Sequence, residues 1–204
     1  MEEIKKEKLR TGFTTGTSAT AAAKAALLAI INQIKVENVD VKLPKGSLIK
    51  IPIHFCEFDK NKARCTVIKD GGDDPDVTHG AEIVVDLSFT KNINEIEIDG
   101  GEGVGIVTKP GLGLELNKSA INPTPKKMIN ENLREIAGKC LVEKGIKVII
   151  SVPRGKELGP KTDNPRIGIL NGISILGTSG IVIPFSTASY AASIRQNLDV
   201  AIAM

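Results

Sequence analysis

The chain has 204 residues, 41% of them hydrophobic, and its 27 basic and 24 acidic side chains leave a net charge of +3. That length allows one large domain or two small ones, with enough apolar content for a buried core. Five Phe, one Tyr and no Trp require an aliphatic core and argue against a nucleic-acid reader that stacks bases on aromatic platforms.

In chain order, the run Lys5-Lys6-Glu7-Lys8 with Arg10 reads as a solvated, basic N-terminus. Thr14-Thr15-Gly16-Thr17-Ser18 offers N-cap hydroxyls to an Ala-rich helix that reaches Ile34. Its apolar stretch Ala19–Ile31 contains Lys24 and falls short of the ~20 residues of a bilayer span, so a buried helix is expected. Val39–Leu43, Ile49–Phe55 and Ala63–Lys69 alternate like strands, and Pro44-Lys45-Gly46 and Asp59-Lys60-Asn61 turn them into a meander. Strands Ala81–Phe89 and Glu95–Asp99 follow, then the glycine-dense Gly100-Gly101-Glu102-Gly103-Val104-Gly105. Asn122-Pro123-Thr124-Pro125 opens a helix through about Val142, with proline tolerated in the first turn. Lys147–Val152 is a strand, Arg154–Pro165 a loop, and Arg166–Leu170 and Ile173–Leu176 are strand pieces. Ser186 begins a final amphipathic helix, whose apolar pattern meets no Gly or Pro stop and suggests a chain cut inside or just after an element. This order predicts an α+β fold: a mostly antiparallel sheet packed by the Ala-rich helix and a second helix, then a smaller α/β segment. A division is expected between residues 1–152, a substrate-binding domain, and residues 153–204, the start of a second α/β region.

Chemistry concentrates in Lys69–Gly80, where twelve residues hold four carboxylates, three glycines and one of the two histidines. Crowded carboxylates raise one another's pKa, and a neighbouring Lys or His lowers it again, as expected where a cation, proton or substrate is handled. One His with aspartates lacks zinc or calcium spacing, which favours acid/base or hydrogen-bonding work for His79 over a metal site. His54, within an apolar strand pattern, reads as structural. Gly101-x-Gly103-x-Gly105 does not match a nucleotide fingerprint and leaves open a backbone close to a ligand or a sharp turn. Thr14-Thr15-Gly16-Thr17 could receive an anion at a helix start, with simple capping the stronger reading. Leu176-Gly177-Thr178-Ser179-Gly180 is a ligand-facing turn or a plain one. Cys56, Cys65 and Cys140 show no paired metal spacing and read as reduced and cytosolic. Cys56 and Cys65 are expected on adjacent strands as small apolar residues. No G-x-S-x-G points to a hydrolase.

Taken together and in order, five segments resemble one family: Thr11–Ala19, Lys69–Gly80, Gly100–Leu112, Ala120–Ile129 and Lys161–Ser186. The family is CbiD, the cobalt-precorrin-5B (C1)-methyltransferases of oxygen-independent cobalamin synthesis. The acidic loop and Asn164–Val182 carry the most specific likeness. Departures from the family pattern are Ser18, Gly71, Lys126, Arg154, Lys156 and Asn171, and a shorter length than family members generally have.

The resemblance implies methylation of C-1 of a cobalt-corrinoid, with S-adenosyl-L-methionine as donor and the cobalt belonging to the substrate. It further implies a cytoplasmic protein with a small-molecule substrate and no nucleic-acid or membrane partner, leaving a homo-oligomer open. For a polyanionic macrocycle, Lys69, Lys109, Lys126, Lys127, Lys161 and Arg166 are expected to meet carboxylates. Thr14, Thr15, Gly101, Gly103 and Thr178 join Lys69, Lys109, Lys126 and Arg166 as substrate-binding candidates. Asp73, Asp74, Asp76 and His79 are the catalytic candidates, holding the donor, the ring nitrogens or a proton. Asn at Asp74 or Asp76 is expected to cut methylation without unfolding. The alternative is a non-catalytic tetrapyrrole-binding module or a truncated fragment of such an enzyme.

Overall fold

Residues 9–204 are described by the computed structural model; the basic run at 5–8 lies outside them. After the two-residue strand β1 (Gly12–Phe13), helix α1 (Thr15–Asn32) runs through the interior, with every residue from Thr15 to Leu27 buried. Alanine makes this possible, because it favours helix and its short side chain lets neighbours approach closely. A helix apolar all round belongs in a core. Lys24 is buried with it, and its Nζ donates to the Asp40 carbonyl at 2.8 Å. No described helix is long and apolar enough to cross a membrane.

Strands β2 (Asn38–Lys42) and β3 (Leu48–Pro52) form a separate antiparallel hairpin. Next come β4 (Phe55–Phe58), β5 (Lys62–Ile68), β6 (Glu82–Thr90), β7 (Ile96–Gly100) and the short β8 (Ile106–Val107). Helices α2 (Pro123–Ala137) and α3 (Cys140–Glu143) lead to β9 (Gly145–Ser151). The main sheet has the order β4-β5-β6-β9-β7 and is antiparallel except where β7 runs parallel to β9. One face buries Cys65 and Val67, Ile83 and Val85, and Val148 and Ile150. The other carries the Arg64–Asp86 pair at 2.7 Å and Lys147–Glu97 at 3.1 Å. This is the apolar-in, polar-out alternation of a sheet covered on one side. Cys56 and Cys65 face each other in register, free and buried, and burial pushes the Cys65 thiol up.

The expected strand Ile49–Phe55 is two strands in two sheets. The Ile53 N–H donates to Glu37 of the hairpin, and the next N–H, of His54, donates to Thr66 of the main sheet. His54 therefore lies in an exposed bend rather than within a strand. Helix α2 also stops short of Val142, because Gly138 adopts a positive φ of 49° at its end.

After α4 (Gly155–Leu158) and a 3₁₀ turn (Gly159–Lys161), the chain returns across the front of the molecule. Strand β10 (Ile169–Leu170) pairs with β8, and β11 (Ile181–Val182) pairs with β1. The expected strand Ile173–Leu176 is reduced to isolated bridges, Val104 with Ile173 and Ile121 with Ile175. Helix α5 (Thr187–Ala203), capped by Ser186 as expected, lies outside, with Val200 its one buried residue. The architecture is α+β.

Candidate functional site

The acidic loop is held by the first described residues of the chain. Gly12 lies flat against Gly71 and Gly72, and a Cβ on Gly12 or Gly72 would collide with the opposing backbone. Thr11 bridges to Gly72, the Phe13 N–H donates to the Asp70 carbonyl at 2.8 Å, and the Asp73 N–H to the Arg10 carbonyl at 2.9 Å. The Arg10 guanidinium forks onto both carboxylate oxygens of Asp70. That hydrogen bond, with the attraction of its charge, holds Asp70 below the usual carboxylate range despite some burial.

The catalytic candidates are tied into this scaffold one by one. Asp73 Oδ2 accepts the Arg10 N–H at 2.5 Å. Asp74 Oδ1 accepts the Phe185 N–H at 2.9 Å and so joins the loop to the entry of α5. Asp76 receives the Lys69 ammonium at 2.5 Å and both the N–H and hydroxyl of Thr78. Burial pushes the Asp76 carboxyl up, but Lys69 and Thr78 outweigh it and the net is a lowered pKa. His79 Nδ1 accepts the Gly71 N–H at 3.0 Å, which assigns the proton of a neutral ring to Nε2. Asp70, the hub of the loop, was not among the candidates, because its partner Arg10 is 60 residues away in sequence.

Several substrate-binding candidates are turned to packing instead. Lys69 is 2% exposed, and Asp76 occupies its ammonium, so it is withdrawn from a ligand's carboxylates. Thr14 and Thr15 are buried at the start of α1. The Thr14 hydroxyl caps the Thr17 N–H at 3.2 Å, and the Thr15 hydroxyl donates to the Ser174 carbonyl at 3.1 Å while accepting from the Leu176 N–H at 2.9 Å. The Gly16 N–H is taken by the Leu176 carbonyl. The segment carrying Ser174–Gly180 thus seals the helix terminus, and capping rather than anion binding describes it. Gly103, at φ +70°, passes so close to Val152 and Gly155 that a side chain would strike their backbone, and Gly101 backs onto the Ser151 hydroxyl. Both glycines serve backbone packing.

The remaining candidates are Lys126, Arg166 and Thr178, all exposed, and the half-buried Lys109. Lys109 Nζ donates to the Arg166 carbonyl at 3.2 Å, which brings two of them together. The Arg166 side chain is 80% exposed, with Asp163 3.9 Å away. An open hollow of about 540 Å³ lies here, lined by Pro160, Lys161, Thr162, Asp163, Pro165 and Arg166. A smaller cleft of about 180 Å³ separates His79–Glu82 from Pro153, Arg154 and Leu158. Its far wall continues through α4 into the residues of the larger hollow. Lys126 stands apart, on the first turn of α2, where its charge acts on Asp99. Arg154 and Glu82 were missed as lining residues, since nothing local in the sequence joins them to His79. Among the described residues, no three His, Cys, Asp or Glu are grouped to hold a metal ion.

Comparison with known proteins adds a family and its relatives. The CbiD family model matches residues 2–184. The cobalt-precorrin-5B C(1)-methyltransferase of Geobacillus kaustophilus is 51% identical over 196 residues, 96% of this chain and 52% of its own length. The protein of the same name from Priestia megaterium is 50% identical over 203 residues, 98% of this chain and 55% of its own. The crystal structure of the cobalamin biosynthesis protein CbiD from Archaeoglobus fulgidus matches with a TM-score of 0.64 at 34% identity, covering 92% of this chain and 59% of that one. The chain spans about half the length of the curated relatives it matches.

Proposed function

The chain belongs to the CbiD family, and on that premise we propose that it serves the methylation of C-1 of cobalt-precorrin-5B, with S-adenosyl-L-methionine as donor. The observation that carries this reading is the 540 Å³ hollow with Lys161 and Arg166 on its rim and Lys109 fastened to the Arg166 backbone. Its volume lies within the usual range of ligand sites. A macrocycle bearing many carboxylates suits exposed cations, and arginine can take a carboxylate with two parallel hydrogen bonds. The cobalt arrives with the substrate.

The residues fit the macrocycle better than the donor. The cleft beside His79, at about 180 Å³, is smaller than a nucleoside-sized ligand needs, and the larger hollow offers a sulfonium only Asp163. The chain's own contribution is therefore placement: fixing the ring by its carboxylates so that C-1 meets the methyl group in line. Orientation of this kind supplies up to about 7–11 kcal/mol in ideal cases. The acidic loop supports the wall next to the cleft, with His79 as the residue placed to hold or move a proton. On this reading the substrate hollow belongs to residues 153–204 and the acidic loop of residues 1–152 backs the neighbouring cleft, in a cytoplasmic enzyme.

The test is a titration of cobalt-precorrin-5B followed by its visible absorbance. Replacing both Lys161 and Arg166 by Ala should weaken binding at least about tenfold, as expected for losing a charge-assisted contact. An unchanged Kd would refute the hollow as the substrate site. The small volume of the cleft beside His79 favours a second reading, a corrinoid-binding module without donor chemistry of its own. Adding S-adenosyl-L-methionine decides between them, since methylated product supports the enzyme and binding without product the module.

A further inference from the structure

Helix α5 is amphipathic in the opposite sense from a helix that packs by its apolar face. Its contact side carries Ser193, Gln196, Asn197 and Val200. Ser193 reaches Asp163 at 3.3 Å, and Val200 alone enters a small cluster with Val107, Ile167 and Ile169. Beginning beside that contact side and winding away from it are Tyr190, Ile194, Leu198 and Ile202, exposed by 72%, 48%, 57% and 83%. Steps of four residues drift by only about 40° each, so the four form one row along the helix. Single exposed apolar residues need no explanation. A continuous row does, especially on a helix that gives its polar face to the core.

We propose that this row is the docking face for a polypeptide of the kind that makes up the half of the relatives this chain does not span. The relatives that match through 96% and 98% of this chain are covered over only 52% and 55% of their own lengths. They thus share nearly all of this fold and carry a further body of protein large enough to cover one helix face. A lipid surface fits less well: the only charged residues on α5 are Arg195 and Asp199, whereas interfacial helices carry a Lys/Arg-rich polar face. The inference is independent of the substrate reading, and its test measures no catalysis.

Tyr190 is the only tyrosine and there is no tryptophan, so the row contains its own reporter. The chain is labelled with 3-fluorotyrosine and mixed with the separately produced, unmatched remainder of the Geobacillus kaustophilus protein. That remainder is first shown to be folded by circular dichroism. A one-to-one complex in sedimentation and a shifted, broadened fluorine resonance are expected. Ile194→Glu with Leu198→Glu should abolish both and leave the far-ultraviolet spectrum of the chain unchanged. An unmoved resonance overturns the proposal. So does a resonance that shifts with the concentration of the chain alone, which would put a second copy on the row. Should the remainder not fold alone, it is ligated to the labelled chain, and an unshifted Tyr190 there overturns the proposal equally.

Discussion

Lys69 and Asp76 are seven residues apart, and burial changes what both can do. In a solvated loop a lysine beside four carboxylates is a loose counter-charge. Here it is 2% exposed and locked to Asp76 at 2.5 Å. Breaking a buried pair leaves an uncompensated charge, which costs about 3–5 kcal/mol. Asp76 keeps 21% exposure, so Lys69→Met should cost about 3 kcal/mol, the lower figure of that range, read from urea unfolding. Asn at Asp76 disturbs the same pair, so it cannot test catalysis without touching stability. Asp74→Asn is the cleaner probe, since an amide oxygen can still accept the Phe185 N–H. Asp70 is one of the carboxylates that contribute to the pH response, with Asp59, Asp76 and Asp99. Its folded pKa is below its unfolded value, so its contribution is complete above about pH 4 and fades as pH falls through the folded value. Asp70→Asn should therefore be less stable than the parent at pH 7, with the gap closing toward pH 2 in chemical denaturation. A gap independent of pH would remove Arg10–Asp70 as its source.

Among the elements, α1 was legible because its signals are local: hydroxyls at the start, then alanines on every side. What its first turn meets was not. Thr15 closes that turn against Ser174 and Leu176, about 160 residues away in sequence. Thr15→Val keeps the shape and removes the hydroxyl, leaving the Leu176 N–H without its acceptor. A loss of about 1 kcal/mol is expected in thermal or urea unfolding, the low end of the cost of an unsatisfied donor, because this hydrogen bond is only part-buried. Sheet alternation was equally readable in β5, β6 and β9, where each face repeats every second residue. The switch between β3 and β4 was not, because Ile49–Phe55 looks continuous and only the hydrogen bonds of Ile53 and His54 reveal two destinations. Two-residue strands such as β1 and β11 carry no periodicity at all. They exist because Gly12 and Phe13 lie opposite Val182 and Ile181.

At the scale of the molecule, α1 is the axis, the main sheet and α2 enclose it, and the returning segment 153–182 closes over its start. The row on α5 belongs to this scale too, since only the packing of Ser193 and Val200 shows that its apolar side faces outward. Composition and local pattern by themselves determined the aliphatic core, the α+β order, the buried helix and the family likeness. Each of these is written within a few neighbouring residues or in the order of segments. Tertiary structure alone decided that Lys69 turns inward, that Thr15 ties the start of α1 to Ser174 and Leu176, that Arg10 grips Asp70, and that Arg166 opens onto a hollow. The Arg10 grip and the closure at Thr15 join residues 60 to about 160 apart in sequence, whereas the Lys69–Asp76 pair, seven apart, is decided by burial. Local periodicity chooses a face for a side chain, but the register of distant segments chooses its partner.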